Sequence, residues 1–201
     1  MLEAADLDCE RGGRVLFRKL SFSLAAGELL RVAGANGSGK TSLLRILCGL
    51  LSPTQGEVRW RGQSIRRLAE EYARQLVHIG HAPGLKDELT AAENLEIACA
   101  LAGLAVSSGE VRDSLTRFGL PAEKPVRQLS QGQRRRAALA RLSLSERVPL
   151  WLLDEPFAAL DAAATGLVEE LIQRQVGRGG AVVYSAHQAS GIDAGARSVS
   201  L

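Results

Sequence analysis

Residues 34–42 read "GANGSGKTS" and combine three glycines with a lysine and a threonine. The stretch fits the pattern G-x-x-x-x-G-K-[ST], in which glycines let several backbone N–H groups point at one phosphate. Lys40 would reach the β- and γ-phosphates of a nucleotide, and the Thr41 hydroxyl would bind Mg²⁺. An ordinary glycine-rich turn does not need lysine and threonine in this register, so we predict a nucleotide-binding loop. Its predicted binding residues are Gly34, Ala35, Asn36, Gly37, Ser38, Gly39, Lys40, Thr41 and Ser42.

Two adjacent carboxylates end the apolar stretch "VPLWLLDEP". We expect Asp154 to hold Mg²⁺, directly or through water, and Glu155 to orient and deprotonate an attacking water. Adjacent carboxylates at a strand end are common, but ligands of α/β sheets bind outside the carboxyl ends of the strands. The carboxylates and the glycine loop therefore together indicate nucleotide hydrolysis.

A second anion-binding feature lies in "LSQGQRRRAALARL", which reads as the start of a helix with Ser130 as its N-cap. The free N–H groups and the dipole at a helix N-terminus favour negative charge, and Gly132 lies beside them. One small chain thus carries two anion-binding features.

Short strand-like runs precede the glycine loop: "LEAADLD", "RVLF", "LSFSL" and "ELLRVAG". The alternation of Leu20, Phe22 and Leu24 predicts half-buried antiparallel strands. After the glycines, "KTSLLRILCGLL" has helical periodicity, and we expect Pro53 to end the helix. The loop therefore lies between a strand and a helix, as its pattern requires.

The composition changes near residue 90. Residues from about 90 to 144 are rich in alanine, leucine, arginine and glutamate, which favours helices. The stretches "VPLWLLDEP" and "GAVVYSAH" are continuous apolar runs typical of buried strands. We predict a single α/β domain, 1–201, with a core of about 1–88 and 146–201 and a helical lobe of about 89–145.

The composition excludes several other classes. Of 201 residues, 46% are hydrophobic and 23% charged, which is typical of a soluble globular chain, and the net charge is only +3. We interpret Arg134–Arg136 as a solvated helix face and expect no nucleic-acid partner. Three widely spaced cysteines, Cys9, Cys48 and Cys99, suggest neither a disulfide framework nor a zinc site. The longest uncharged apolar stretch, Ile97 to Val106, is too short to cross a bilayer.

The motifs and their order resemble those of ABC ATPases: the glycine loop, "LSQGQ", "LLDEP", "AALD" and a histidine after "AVVYSA". The resemblance implies a P-loop NTPase with a RecA-like core, N-terminal antiparallel strands and an inserted helical lobe. It also implies that two copies pair head to tail with ATP and Mg²⁺. The signature motif of each copy would cover the nucleotide on the other copy's P-loop, which explains the second anion-binding feature. The signature residues are Ser130, Gln131, Gly132 and Gln133.

Two further roles follow from the resemblance. His187 resembles the switch histidine that contacts the γ-phosphate and helps to hold the attacking water. Asp161 resembles the D-loop aspartate, which links the two nucleotide sites of the dimer, although Ala158 replaces the usual serine of that loop.

Two positions depart from the family pattern. Arg11 stands where an aromatic residue usually stacks on adenine; its guanidinium could stack on the base, or it could be a surface residue. His81 stands at the Q-loop position, where glutamine is usual. A neutral imidazole could still donate or accept one hydrogen bond near Mg²⁺ or a water, or the glutamine's role could be lost in this branch.

The stretches "IGHAPGLKDELTAAENLEI" and "QGQRRRAALARL" resemble the ATP-binding subunits of haem exporters in cytochrome c maturation. That resemblance implies integral membrane transporter subunits as partners and a peripheral location on the cytoplasmic face of the inner membrane. The sequence has no C-x-x-C-H, and we expect no haem bound directly by this chain. Transport of another solute, or an ABC ATPase not tied to transport, remains an alternative, because fold does not determine function.

Overall fold

Two β-sheets and seven α-helices make up the computed structural model, which describes residues 1–186 and 191–201. Within those residues the strands are β1 Leu2–Arg11, β2 Arg14–Leu24, β3 Leu29–Ala33, β4 Gln55–Trp60, β5 Gln63–Ser64, β6 Leu76–Ile79, β7 Leu150–Leu153, β8 Ala181–Ser185 and β9 Arg197–Ser200. The helices are α1 Lys40–Leu47, α2 Ile65–Leu68, α3 Glu70–Ala73, α4 Ala91–Leu101, α5 Ser108–Arg117, α6 Gln131–Leu144 and α7 Ala162–Gly177.

The first sheet is antiparallel and has the strand order β2-β1-β4-β5. Leu2 pairs with Leu24 and Glu10 with Val15, so β1 and β2 form a long hairpin. The predicted antiparallel pairing is therefore confirmed. However, "RVLF" and "LSFSL" are one continuous strand rather than two, because register shifts along the hairpin absorb the irregular residues between them.

The second sheet is parallel and has the strand order β6-β7-β8-β3-β9. Successive side chains of a strand point alternately into two hydrophobic cores, one on each side of the sheet. Trp151 and Leu153 pack towards the helices α4 to α7, whereas Leu150 and Leu152 pack towards α1 and the antiparallel sheet. Both faces are buried, which explains the continuous apolar run of β7.

Strand β9 was not predicted. It pairs in parallel with β3 at the edge of the sheet, where Leu30 faces Arg197 and Val32 faces Val199. Its residues are mostly exposed, so its sequence "RSVS" carries no apolar signal. The strand "GAVVYSAH" is thus followed by another strand of the same sheet.

The helix α1 ends earlier than predicted. The chain leaves the helix at Gly49, whose φ is 77°. Gly49 N donates to Ile46 O at 3.0 Å, and Leu50 N donates to Arg45 O at 2.9 Å. These two bonds are the pattern of a glycine-terminated helix end, so Gly49 rather than Pro53 ends α1.

Three helices lie between β6 and β7. The helices α4, α5 and α6 pack on one another, and Val111, Leu115 and Leu139 are fully buried among them. Ser130 is the N-cap of α6 and accepts a hydrogen bond from Gln133 N at 3.2 Å, which confirms the predicted helix start. In the part of the chain that the structure describes, no helix is both long and apolar enough to cross a membrane.

The interpretation of Arg134–Arg136 as a solvated face was wrong. Arg135 is 4% exposed and points towards the sheet. Arg134 pairs with Asp87, and Arg136 donates to the carbonyl of Phe118. Each arginine meets a different partner because successive residues on a helix point about 100° apart.

Candidate nucleotide site

The glycine loop connects β3 to α1 and leaves the first turn of α1 open. Gly39 is the N-cap, with φ at 109°, and no side chain caps the helix N-terminus. At Gly34, a β-carbon would lie 2.5 Å from Ser38 Oγ and 2.9 Å from Leu201 O. Only glycine fits there, and the loop keeps the backbone curvature that directs N–H groups towards a phosphate.

Lys40 lies inside the curve of this loop. Its side chain is buried, and Nζ donates to the carbonyls of Gly34 and Ala35 at 2.9 Å each. The loop's own carbonyls thus hold the ammonium group beside the open helix N-terminus. A cation and several N–H donors together suit a phosphate group.

Asp154 follows β7 and lies next to the glycine loop. It is 1% exposed; Thr41 Oγ1 donates to its Oδ2 at 2.8 Å, and Ser185 Oγ donates to its Oδ1 at 2.7 Å. Thr41 lies in the first turn of α1, Asp154 follows β7, and Ser185 ends β8, the strand next to β7 in the parallel sheet. Ser185 was not identified from the sequence, because a serine at a strand end carries no signal without its neighbours.

Glu155 has an unusual backbone conformation. Its φ is 50°, in the left-handed region that glutamate rarely adopts. Its N–H donates to Ser185 Oγ at 2.9 Å. Its Oε2 lies 3.3 Å from Nδ1 of His81, which follows β6 and is largely exposed. Strain of this kind clusters at functional sites, where the surrounding structure holds it.

A cavity of about 400 Å³ joins these groups. Its lining comes from the glycine loop and the two loops that carry His81 and Glu155, with one residue from the hairpin: Leu16, Asn36, Gly37, Gly39, Lys40, Thr41, Ser42, His81 and Glu155. Arg11 is exposed at the end of β1 and does not belong to this lining. Leu16 of β2 is the hairpin residue that lines the cavity, and it was not identified as a site residue from the sequence.

The residues Ser130 to Gln133 lie outside this lining. Ser130 is exposed at the start of α6. A β-carbon on Gly132 would lie 3.0 Å from the carbonyl of Ala159, in the segment after Glu155. Asp161 is the N-cap of α7, and its Oδ1 accepts from Ala164 N at 2.8 Å.

A second groove, of about 360 Å³, opens beside the first; Thr41 and His81 line both, and Asp154 lines the second. His78 lines it from β6 and lies 3.1 Å, through Nδ1, from the carbonyl of Leu152. Burial lowers the pKa of His78, so its neutral form is favoured. Asn94 of α4 also lines this groove, and its Oδ1 accepts a hydrogen bond from Lys86 N at 2.7 Å.

The residues present fit a nucleotide with Mg²⁺. The Ser38 hydroxyl is buried and, among the described residues, has no hydrogen-bond partner, as expected of a group that a phosphate would satisfy. Thr41 and Asp154 offer the oxygen ligands that Mg²⁺ prefers. In the described ranges no three His, Cys, Asp or Glu side chains cluster as a metal site. His187, the predicted switch histidine, lies outside the described residues.

Comparison with known proteins decides the family. The family described as "ABC transporter" matches residues 17–158. The chain belongs to the ABC transporter family. The predicted fold class and ATPase activity are thereby confirmed, as is the use of ATP.

Two relatives are named "Cytochrome c biogenesis ATP-binding export protein CcmA". That of Aromatoleum aromaticum is 53% identical and that of Nitrosomonas europaea 50% identical, each over 94% of this ABC ATPase and 89% of the relative. A solved dimeric ATP-binding cassette, in a post-hydrolysis state with ADP and Pi, is 25% identical with a TM-score of 0.87. The match covers all of this chain and 94% of that one.

Proposed function

We propose that this ABC ATPase is the ATP-hydrolysing subunit of a transporter that powers haem export in the biogenesis of c-type cytochromes. The observation that carries the proposal is about 50% identity, over nearly the whole chain, to proteins named for export in cytochrome c biogenesis. We assign one nucleotide-binding domain to residues 1–201, with a core of about 1–88 and 146–201 and a lobe of about 89–145.

The cavity geometry supports a hydrolytic mechanism. Residues 34–42, Lys40 among them, would bind the phosphates, and Thr41 and Asp154 would hold Mg²⁺. If Mg²⁺ is bound there, it would offset the negative charge that develops on the phosphates in the transition state. Glu155 accepts the proton of the attacking water through its carboxylate, which lines the cavity. The bond from its N–H to Ser185 keeps that carboxylate in place.

His81 acts, in this proposal, at the Q-loop position. Its imidazole lies 3.3 Å from the Glu155 carboxylate and lines the same cavity, so it can hold a water or a metal-bound water. We assign the γ-phosphate contact to His187. A contact between Arg11 and adenine stays a prediction.

The nucleotide site is completed, we infer, by a second copy of the chain. Ser130 to Gln133 form a helix start outside their own chain's cavity, with Ser130 and Gln131 exposed, which suits a nucleotide held by the other copy. The solved cassette described above is a dimer. Asp161 and the segment that touches Gly132 would then link the two sites of a head-to-tail pair.

The groove beside the cavity suits the membrane subunits. It lies between α4, α6 and the loop after β6, and its lining includes Pro83, Leu85 and Leu95 with the exposed Leu50 at its edge. A short helix of an integral membrane partner would dock there and sense movement of His81. In this proposal the chain lies on the cytoplasmic face of the inner membrane.

Purification from native membranes tests the proposal. The tagged chain should bring down integral membrane subunits, and cells carrying only Glu155→Gln should lose c-type cytochromes, measured by haem staining. In the purified complex, Glu155→Gln should bind ATP normally and hydrolyse it at least 100-fold more slowly, because only the general base is lost. Lys40→Ala should weaken ATP binding itself.

The control is Glu71→Gln, which changes an exposed glutamate of α3 away from the cavity. It should leave hydrolysis and cytochromes unchanged. Normal cytochromes in Glu155→Gln cells that have lost the ATPase would point to another transported solute. Normal hydrolysis by Glu155→Gln would exclude this glutamate as the base.

A further inference from the structure

Arg135 forms a buried connection between α6 and the two loops of the catalytic site. It is 4% exposed, and it lies five positions after the signature serine, Ser130. Its Nη1 donates to the carbonyl of Gly80 at 2.6 Å. Its Nη2 donates to the carbonyls of Asp154 at 2.6 Å and Glu155 at 2.8 Å.

These carbonyls belong to loops that are far apart in the sequence. Gly80 immediately precedes His81 in the loop after β6, whereas Glu155 belongs to the loop after β7. The side chains of His81 and Glu155 meet at 3.3 Å in the cavity. One planar guanidinium thus fixes the backbones that carry both groups of this contact.

The backbone of Glu155 particularly needs such support. Its φ of 50° persists only where neighbours hold the peptide on both sides. Ser185 Oγ accepts from its N–H, and Arg135 donates to its carbonyl. Burial lowers the pKa of Arg135, but the nearby Asp154 and Glu155 oppose that effect, and a guanidinium remains charged in any case.

We propose that Arg135 is a positioning residue for ATP hydrolysis: it fixes the loops that carry Glu155 and His81 in position relative to α6, the helix that begins at the signature motif. The inference rests on the proposed role of Glu155 as the general base.

Steady-state kinetics of the purified complex test this role. Arg135→Met keeps the length of the side chain but removes every donor, so kcat should fall at least tenfold while KM for ATP changes less than threefold. In Arg135→Lys, the single ammonium group can donate to the carbonyls of one loop but not of both, so its kcat should lie three- to tenfold below wild type. The matched control is Arg136→Met, whose native guanidinium donates to Phe118 O on the other side of α6. It should stay within twofold.

A double-mutant cycle separates positioning from general stability. In single-turnover reactions, Arg135→Met should slow the Glu155→Gln enzyme less than threefold, because the group that Arg135 positions is already lost. An equal slowing in both backgrounds, or a large rise in KM, would show a structural role and overturn the inference. If Arg135→Met does not fold, Arg135→Lys carries the test, and a wild-type kcat for that variant overturns the inference.

The two proposals fail in different ways. Wild-type turnover by Glu155→Gln would remove the general base on which this inference rests. Loss of turnover by Glu155→Gln together with full turnover by Arg135→Met would leave the base in place and refute the positioning role alone.

Discussion

Ser185→Ala removes one hydroxyl that contacts both Asp154, the proposed Mg²⁺ ligand, and Glu155, the proposed general base. Ser185 is fully buried at the end of β8. Its Oγ donates to Asp154 Oδ1 at 2.7 Å and accepts from Glu155 N at 2.9 Å. Alanine keeps the packing of the strand, but Asp154 Oδ1 loses one hydrogen-bond donor and the half-buried N–H of Glu155 loses this acceptor.

The structure gives the expected size of the effect. A hydrogen bond to a charged group contributes about 1.5–3 kcal/mol, and a buried donor left without a partner costs about 1–3 kcal/mol. Because both bonds share one hydroxyl, we expect a loss of about 3 kcal/mol in the free energy of unfolding rather than the full sum. For a chain of 201 residues this lowers Tm by about 6–12 °C.

The same change should slow hydrolysis. Glu155 keeps its left-handed φ of 50° partly through the bond to Ser185. Without that bond the carboxylate should sample positions from which it cannot reach the attacking water. We expect kcat to fall about tenfold, which corresponds to about 1.4 kcal/mol of lost transition-state stabilisation.

Denaturant unfolding of the purified chain and ATPase assays of the complex measure the two effects. Ser145→Ala is the matched control, because Ser145 is also fully buried but its Oγ donates to the neutral carbonyl of Arg141 at 2.8 Å. That variant should lose about 1 kcal/mol of stability and keep its kcat. If Ser185→Ala lost no more stability than Ser145→Ala and kept full turnover, the reasoning from this network would be refuted.

Two further predictions concern the composite site and the Q-loop position. Ser130→Arg puts a bulky side chain at the exposed start of α6. ATPase activity of the complex should fall at least tenfold, while the isolated chain should bind ATP normally. If the isolated chain lost ATP binding, the signature motif would belong to the nucleotide site of its own chain. His81→Gln should keep most transport-coupled ATPase activity, because an amide offers a similar donor and acceptor, whereas His81→Ala should lower coupled turnover more than basal hydrolysis. If both His81 variants lowered ATPase turnover equally, measured with and without membrane subunits, this role would be contradicted.

The local features of the site could be predicted from the sequence. The glycine loop depends on backbone conformations that neighbouring glycines permit, and Gly34 indeed leaves no room for a β-carbon. The start of α6 depends on Ser130 and Gln133, three residues apart, which form their capping bonds within one turn. Asp154 and Glu155 follow a continuous apolar run, which predicts a strand buried on both faces, and β7 is such a strand. In each case the interacting groups are close in the chain, so their spacing already specifies the contact.

Tertiary structure decided the contacts between distant segments. Arg135 is one of three consecutive arginines, and only the packing of α6 against the sheet selects it to meet Gly80 and Glu155. Ser185 meets Asp154 because β7 and β8 are neighbours in the parallel sheet. The edge strand β9 forms because β3 offers a free row of hydrogen-bonding groups, although "RSVS" itself has no apolar pattern. A polar residue's sequence neighbours do not specify its partner when that partner comes from another strand, because the free energy of such a contact exists only after both segments are buried together.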